Sequence, residues 1–422
     1  MDAFFAECHI ATNPFLKDKN MVVSSANKRS VVLTSSYNAR KFNINAGMPI
    51  FKAKELCDDL IIVKPDFALY SKFSNEIFVI ISTKFTKKIE INSIDECYID
   101  VTNIWKKYKS VKKLATAMQF EIFRLTGLTC SIGISTNKFL AKSCVDFNKP
   151  NGISFLLPQD IQTVLWPLDI RKMYMVGIAT EKIFKLNNIN TIGDLAKSNQ
   201  KFIQNLLGKR GFILHFWANG IASDEVEYDS NELKTISNEF TLNTPSSNIN
   251  EINEMIYELC LKIQLRANKR FVKGKTVAVT IKYKNSDFIN IRSFKKRTSK
   301  QETLQSYSNN VETFFSSAKQ SFAELWNGDK ILLIGIKLSN LIDNINNLNQ
   351  LSLKDIESND NGFKKNEINN LLKKIEKKFG SNKAFTASSL LKFNDKNKKQ
   401  SKYLKNDDIH ISNEELIKKW NK

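Results

Sequence analysis

The stretch that most constrains the fold is Ile91-Asn-Ser-Ile-Asp-Glu-Cys-Tyr-Ile-Asp-Val101. Ile89 and Ile91 alternate with Glu90 and Asn92, and Cys97, Ile99 and Val101 alternate with Tyr98, Asp100 and Thr102. Successive strand side chains point to opposite faces, so this period of two predicts two half-buried strands. The adjacent carboxylates Asp95 and Glu96 then sit at or near the hairpin tip, fixed by a sheet and open to solvent. Mg²⁺ takes oxygen ligands and is typically held by one or two carboxylates plus substrate phosphates, so the placement suits it. Two acids can also simply mark a solvated turn, and spacing alone does not separate the two readings.

Charge narrows the partners. Lys and Arg number 64 against 43 Asp and Glu, a formal net charge of +21 over 422 residues. That balance calls for a polyanion, either nucleic acid or an anionic membrane surface. No apolar run is long enough to span a bilayer, and the amino terminus lacks the pattern of a secretory signal. Nucleic acid in the cytoplasm is therefore expected. The six cysteines are scattered with no C-x-x-C pair, which predicts a reduced compartment and no zinc site. Three widely separated histidines speak against a histidine-based metal or acid–base centre. The length allows roughly two to four domains.

Ser93-Ile-Asp-Glu-Cys-Tyr-Ile-Asp100 resembles the S-[IM]-D-E-x-[YF]-[LI]-D signature of the Y-family DNA polymerases, the translesion enzymes. Further motifs follow in the family's order. Met1-Asp-Ala-Phe-Phe-Ala6 resembles the end of the first palm strand, [apolar]-x-D-M-D-[AC]-F-[FY]-A. The family's first metal-ligating aspartate precedes the methionine, which would place it before residue 1. Three accounts fit: the start is internal to a longer protein, the gene is degenerate, or Asp2 takes over as ligand. The resemblance implies that Asp95 and Glu96 hold two Mg²⁺ ions, with Asp2 a weak substitute for the absent carboxylate. It places Phe4 and Phe5 at the incoming nucleotide, although Phe4 also reads as ordinary core. Phe5 aligns with the steric gate that leaves a 2′-hydroxyl neither room nor a partner.

Val31 to Leu33 reads as a strand leading into a short helix near Ser35, with Thr34, Tyr37 and Arg40 at three-residue spacing on one face. The segment is similar to the family's Y-x-A-R-x-x-G-[VI]-x-x-G-M, with Asn43 in place of the first glycine. By resemblance all three contact the triphosphate, where a planar guanidinium pairs well with phosphate oxygens. Cys130 to Lys142 resembles S-[IV]-G-[IV]-[SA]-x-N-K-x-x-A-K, a strand turning into a helix capped at Ser135, Thr136 or Asn137. Lys149-Pro-Asn-Gly152 matches K-P-[ND]-G and makes Lys149 a second triphosphate contact.

Met175 to Leu195 resembles a helix-hairpin-helix that offers backbone N–H groups, Gly177 among them, to DNA phosphates. Met175 and Asn188 stand where the family pattern has glycines. Beyond Lys234, a helical period over Ile252 to Leu265, a helix ending at Leu325-Trp326 and strands at Lys275–Tyr283, Asp287–Phe294 and Ile331–Leu338 resemble the family's little finger, which implies two helices on a four-stranded sheet. Arg266, Arg270, Lys275, Arg292 and Lys295 belong to a dense basic set there that implies salt-sensitive phosphate binding. Gln350-Leu351-Ser-Leu353 resembles the sliding-clamp peptide Q-L-S-L-F, with Lys354 replacing the aromatic anchor.

The implied fold is an α+β right hand: palm at 1–9 and 67–156, fingers at 10–66, thumb at 157–230 and little finger at 234–340. A mostly disordered tail at 341–422 carries the clamp motif. The implied activity is template-directed, error-prone DNA synthesis across lesions by a monomer that uses primer-template DNA, deoxynucleoside triphosphates and a sliding clamp. The alternatives are a catalytically impaired DNA-binding remnant and a nucleotidyl cyclase built on the same palm.

Overall fold

The computed structural model describes residues 1–25, 30–228, 233–284 and 297–343. They fall into two compact units, the first Met1–Asn231 and the second starting at Glu232.

The first unit begins with helix α1 (Phe4–Thr12) and strands β1 (Met21–Val23) and β2 (Thr34–Ser35). Helices α2 (Tyr37–Arg40) and α3 (Ile50–Leu56) and strand β3 (Ile61–Val63) follow. β1 pairs antiparallel with β2 and parallel with β3. The strand expected at Val31 to Leu33 forms instead at Thr34–Ser35, and Val31 makes only an isolated bridge to Pro49. Ser36 explains the shift. Its hydroxyl donates to the Lys19 carbonyl and accepts from the Ala39 N–H, so it caps α2 and the helix starts at Tyr37. Thr34 therefore lies on a strand and does not share a helical face with Tyr37 and Arg40.

Next come α4 (Phe67–Lys84), the pair β4 (Ile89–Ile91) and β5 (Cys97–Ile99), and α5 (Val111–Thr126). β6 (Ile132–Ile134), α6 (Lys138–Cys144) and β7 (Ile153–Phe155) complete this part. β4 and β5 form the expected antiparallel hairpin, while β6 and β7 pair in parallel as a separate ribbon. Both long helices obey simple rules. Asp66 and Ser110 cap α4 and α5, and α5 buries Leu114, Met118 and Ile122 on one stripe before stopping at Gly127, whose φ of 72° suits glycine. Tyr70, Phe73, Ile77 and Ile81 of α4 pack with Phe4, Ile89 and Ile122.

Helices α7 (Ile178–Leu186), α8 (Ile192–Lys197), α9 (Gln200–Leu207) and α10 (Lys209–Ala218) end this unit. Gly177 occupies the N-cap of α7, and Thr191 and Asp194 form a reciprocal capping box on α8. All three residues that stand in place of family glycines take left-handed backbone: Asn43 at φ 60°, Met175 at 71° and Asn188 at 60°.

The second unit contains β8 (Thr235–Ser246), α11 (Ile249–Lys269), β9 (Val272–Tyr283), β10 (Thr298–Ser308), α12 (Val311–Leu325) and β11 (Ile331–Asp343). The sheet runs β10-β9-β11-β8, and every pair in it is antiparallel. Alternate residues Val277, Val279 and Ile281 meet Ile252, Ile256, Phe314 and Phe322 in one core. This is the expected two helices on four strands, with one change: the fourth strand is Thr298–Ser308, and the segment Asp287–Phe294 lies outside the described residues. Among the described residues no helix is long and apolar enough to cross a membrane.

Candidate active site

The site is built from the turn between β4 and β5. The N–H groups of Asn92 and Ser93 both donate to the Glu96 carbonyl, at 2.9 and 3.2 Å, which closes the turn and presents two carboxylates side by side. Ser93 Oγ donates to Asp95 Oδ1 at 2.8 Å and accepts from the Asp95 N–H at 3.3 Å, fixing that side chain. The Met1 amino group donates to the Asp95 carbonyl at 2.9 Å. Glu96 is held from two sides, by Lys142 Nζ at 2.5 Å and by the Asn92 amide at 3.2 Å. Burial works to raise the Glu96 pKa, but the Lys142 contact and the Asn92 hydrogen bond outweigh it and hold the carboxyl below its ordinary value.

Helix α6 lies along this hairpin with lysines one turn apart. Lys138 pairs with Glu90 at 2.8 Å and Lys142 with Glu96. The Asn137 side chain accepts from the Leu140 N–H and so sets where the helix starts. Gly133 of β6 allows the close approach: a Cβ there would lie 2.1 Å from the Ala141 carbonyl oxygen. Asp95, Glu96, Lys142 and Lys149 line a single cavity of about 280 Å³. Lys149 is partnered by Asp146 at 2.7 Å.

The other predicted residues divide. Phe5 stacks on Tyr70, with ring centroids 4.3 Å apart and planes 19° apart, and meets Phe67 edge-on at 6.3 Å. Phe4, also expected at the nucleotide, is 4% exposed and packed in the core; the helix that presents Phe5 turns its neighbour inward. Arg40 lies 4.6 Å from the centre of the Tyr37 ring and donates to the Ser35 carbonyl at 3.3 Å. Burial and the neighbouring Asp2 push the Tyr37 hydroxyl up to about 12. Asp2 does not join the carboxylate pair. It is 1% exposed, and its oxygens accept from Ser131 Oγ, the Asn151 N–H and Tyr37 Oη.

In the hairpin before α7, the Arg210 guanidinium donates to the Met175 carbonyl at 2.5 Å and Arg171 donates to that of Val176. In the second unit Arg266 donates to the Ser237 carbonyl at 3.0 Å, Arg270 ends α11, and the Lys275 ammonium lies 5.6 Å from the Tyr307 ring centre. Arg292, Lys295, Gln350, Leu351 and Leu353 lie outside the described residues.

Sequence reasoning gave no role to Lys142, although it closes a recognisable N-K-x-x-A-K run one turn after Lys138. It also missed the backing of Phe5. Tyr70 is fully buried, and its hydroxyl lies 2.7 Å from His9 Nε2. Among the described residues no cluster of three or more His, Cys, Asp or Glu forms a metal cage. The carboxylates at hand are Asp95 and Glu96, hard oxygen donors of the kind Mg²⁺ takes when phosphates and water complete its shell.

A profile described as the impB/mucB/samB family matches residues 1–146, and the profile of that family's C-terminal domain matches 233–353. A DNA polymerase IV of Oceanobacillus iheyensis is 34% identical over 90% of this chain and 88% of the relative. One from Clostridium kluyveri is 32% identical over 93% and 97%. A Y-family DNA polymerase chimera of Dbh and Dpo4 superposes with a TM-score of 0.72 at 27% identity, covering 81% of this chain and 98% of that one. DinB from Sulfolobus solfataricus gives 0.54 at 28% identity, over 81% and 98%.

Fold and site thus define a right-hand nucleotidyltransferase that works on DNA, with palm, fingers, thumb and little-finger domains. The chain belongs to the Y-family DNA polymerases, of the DNA polymerase IV type. It is a template-directed, error-prone DNA polymerase that performs translesion synthesis on DNA with nucleotide substrates, and its chemistry depends on divalent metal.

Proposed function

We propose that Asp95 and Glu96 hold two Mg²⁺ ions, and that Thr34, Tyr37, Arg40 and Lys149 hold the triphosphate of the incoming deoxynucleotide. Bound Mg²⁺ supplies charge neutralisation on the phosphates and at the oxygens that attack and leave. The protein's own share is positioning. The turn at Asn92–Glu96 presents the carboxylates, Lys142 sets the Glu96 rotamer, and Phe5 lies under the sugar, backed by Tyr70. In this reading the primer 3′-hydroxyl loses its proton to solvent, its oxygen bonds to the α-phosphorus as the bond to the β-phosphate oxygen breaks, and pyrophosphate leaves.

Palm (1–9 and 67–156), fingers (10–66), thumb (157–230) and little finger (234–340) divide the work. The hairpin at Gly177 and the basic residues Arg266, Arg270, Lys275, Arg292 and Lys295 grip the DNA backbone, and Gln350 to Leu353 engage a sliding clamp. The protein acts as a cytoplasmic monomer.

The observation that best supports this reading is the shared cavity, onto which both carboxylates and Lys149 open. Primer extension tests it. Asp95→Asn should lower the incorporation rate by about 10²–10³-fold or more, the scale seen when one preorganised electrostatic group is removed, with DNA affinity nearly unchanged. Extension by Asp95→Asn at the parent rate would overturn the assignment. Binding without extension by the parent chain would favour an impaired DNA-binding protein.

A further inference from the structure

The carboxylate of Asp2 ties together three segments that are distant in sequence. Oδ1 accepts from Ser131 Oγ at 2.7 Å and, at longer range, from Tyr37 Oη at 3.5 Å; Oδ2 accepts from the Asn151 N–H at 2.8 Å. The Gly152 N–H donates to Ser131 Oγ at 3.4 Å, so the turn after Lys149 is held to the same group twice over. That turn has no slack. Asn151 sits at φ 56°, and a Cβ on Gly152 would lie 1.7 Å from the Asn148 carbonyl oxygen. On the other side, Tyr37 carries the Arg40 guanidinium on its ring. A carboxylate this buried is tolerable only because it is hydrogen-bonded, and those bonds point its oxygens at protein donors.

We infer that Asp2 is a positioning residue for the triphosphate-binding groups, setting Tyr37 from one oxygen and the Lys149 turn from the other, and is not a metal ligand. This rests on the assignment of Tyr37 and Lys149 to the triphosphate. Alanine at position 2 leaves the Asn151 N–H and the Ser131 hydroxyl without their acceptor. Asparagine keeps an acceptor for Asn151 and turns its NH₂ toward two hydroxyls that can accept. A positioning role is therefore rescued by asparagine, whereas a metal-ligand role, which needs the charge, is not.

The test is steady-state incorporation by the full chain on primer-template DNA, with titrations of deoxynucleotide and Mg²⁺ and a thermal melt of each variant. Asp2→Ala should raise KM for the deoxynucleotide about tenfold, with kcat changed far less and Mg²⁺ half-saturation unmoved. Asp2→Asn should stay close to the parent. Ser131→Ala, a milder change should Asp2→Ala fail to fold, should raise KM in the same direction. If Asp2→Asn is as impaired as Asp2→Ala and needs much more Mg²⁺, the carboxylate is a ligand and the inference fails. Lys149→Ala separates the two levels of the argument. If it leaves KM unchanged, the triphosphate assignment is wrong; if it raises KM while Asp2→Ala and Ser131→Ala do not, the positioning role is wrong.

Discussion

Truncating Phe5 to alanine should admit ribonucleotides. The ring lies flat on Tyr70 at 4.3 Å and edge-on to Phe67 at 6.3 Å. Its backing cannot retreat, because Tyr70 is fully buried and its hydroxyl is engaged by His9 at 2.7 Å. A 2′-hydroxyl pressed against such a ring loses water and gains no partner, which costs about 1–3 kcal/mol in protein settings. At 1.4 kcal/mol per decade that is roughly 5- to 150-fold in kcat/KM, before any direct overlap is counted. Phe5→Ala should therefore lower deoxy-over-ribo discrimination by at least about fivefold. The truncation also has a stability cost. Two aromatic contacts are worth about 0.5–1.5 kcal/mol each, and a half-buried ring contributes about 1 kcal/mol more. Single-turnover incorporation of matched deoxy- and ribonucleotides, measured below the melting transition of the variant, gives the ratio directly. If discrimination stays within about threefold of the parent while deoxynucleotide incorporation persists, the ring does not select the sugar.

Two further outcomes follow from the same geometry. Gly133→Ala puts a methyl 2.1 Å from the Ala141 carbonyl oxygen, a backbone atom, so α6 must shift and carry Lys142 off Glu96. Overpacking of this kind costs about 1–3 kcal/mol, and a denaturant melt should show it together with reduced incorporation; a variant of parental stability would refute the tight β6–α6 contact. His9 concerns pH. Burial lowers its pKa, so the unfolded chain binds the proton more readily than the folded one. The stability linked to His9 is then complete above the unfolded value of about 6.5 and is lost as pH falls through the lower folded value. His9→Gln should flatten the melting temperature between pH 5 and 7, and an unchanged slope there would contradict the lowered His9 pKa.

The local parts of this site could be read from the chain. Ile89 to Val101 showed its hairpin because alternation is a backbone-level signal, and the start of α6 could be narrowed to Ser135, Thr136 or Asn137, of which Asn137 is the cap. Two kinds of feature could not be read. Strand β10 offers Thr298-Ser-Lys-Gln-Glu-Thr-Leu-Gln-Ser-Tyr-Ser308, with Leu304 its sole aliphatic residue; among the described residues it pairs only with β9, so edge pairing rather than burial makes it a strand. Contacts across great sequence separation were also hidden. Asp2 read as a possible ligand because nothing near it in the chain reveals Ser131 or Asn151 as its partners, and Lys142 drew no role because its partner Glu96 lies 46 residues away. Phe4 and Phe5 are adjacent and identical in type, and only the orientation of α1 sends one to the core and the other toward Tyr70.

The left-handed residues at Asn43, Met175 and Asn188 bear on the unfolded ensemble. A glycine at such a position folds without strain but gives up a wide range of unfolded conformations, whereas a residue with a Cβ begins with fewer. That restriction is worth about 0.4–1 kcal/mol in favour of the folded chain. The left-handed penalty for an ordinary side chain is about 1–2 kcal/mol, and asparagine visits that region more readily than most. Asn43 and Asn188 thus come close to even, while Met175 carries a net cost of about 1 kcal/mol. In this protein the glycines of a motif stand for the sign of a dihedral angle, and a less mobile chain can meet the same requirement at small thermodynamic cost.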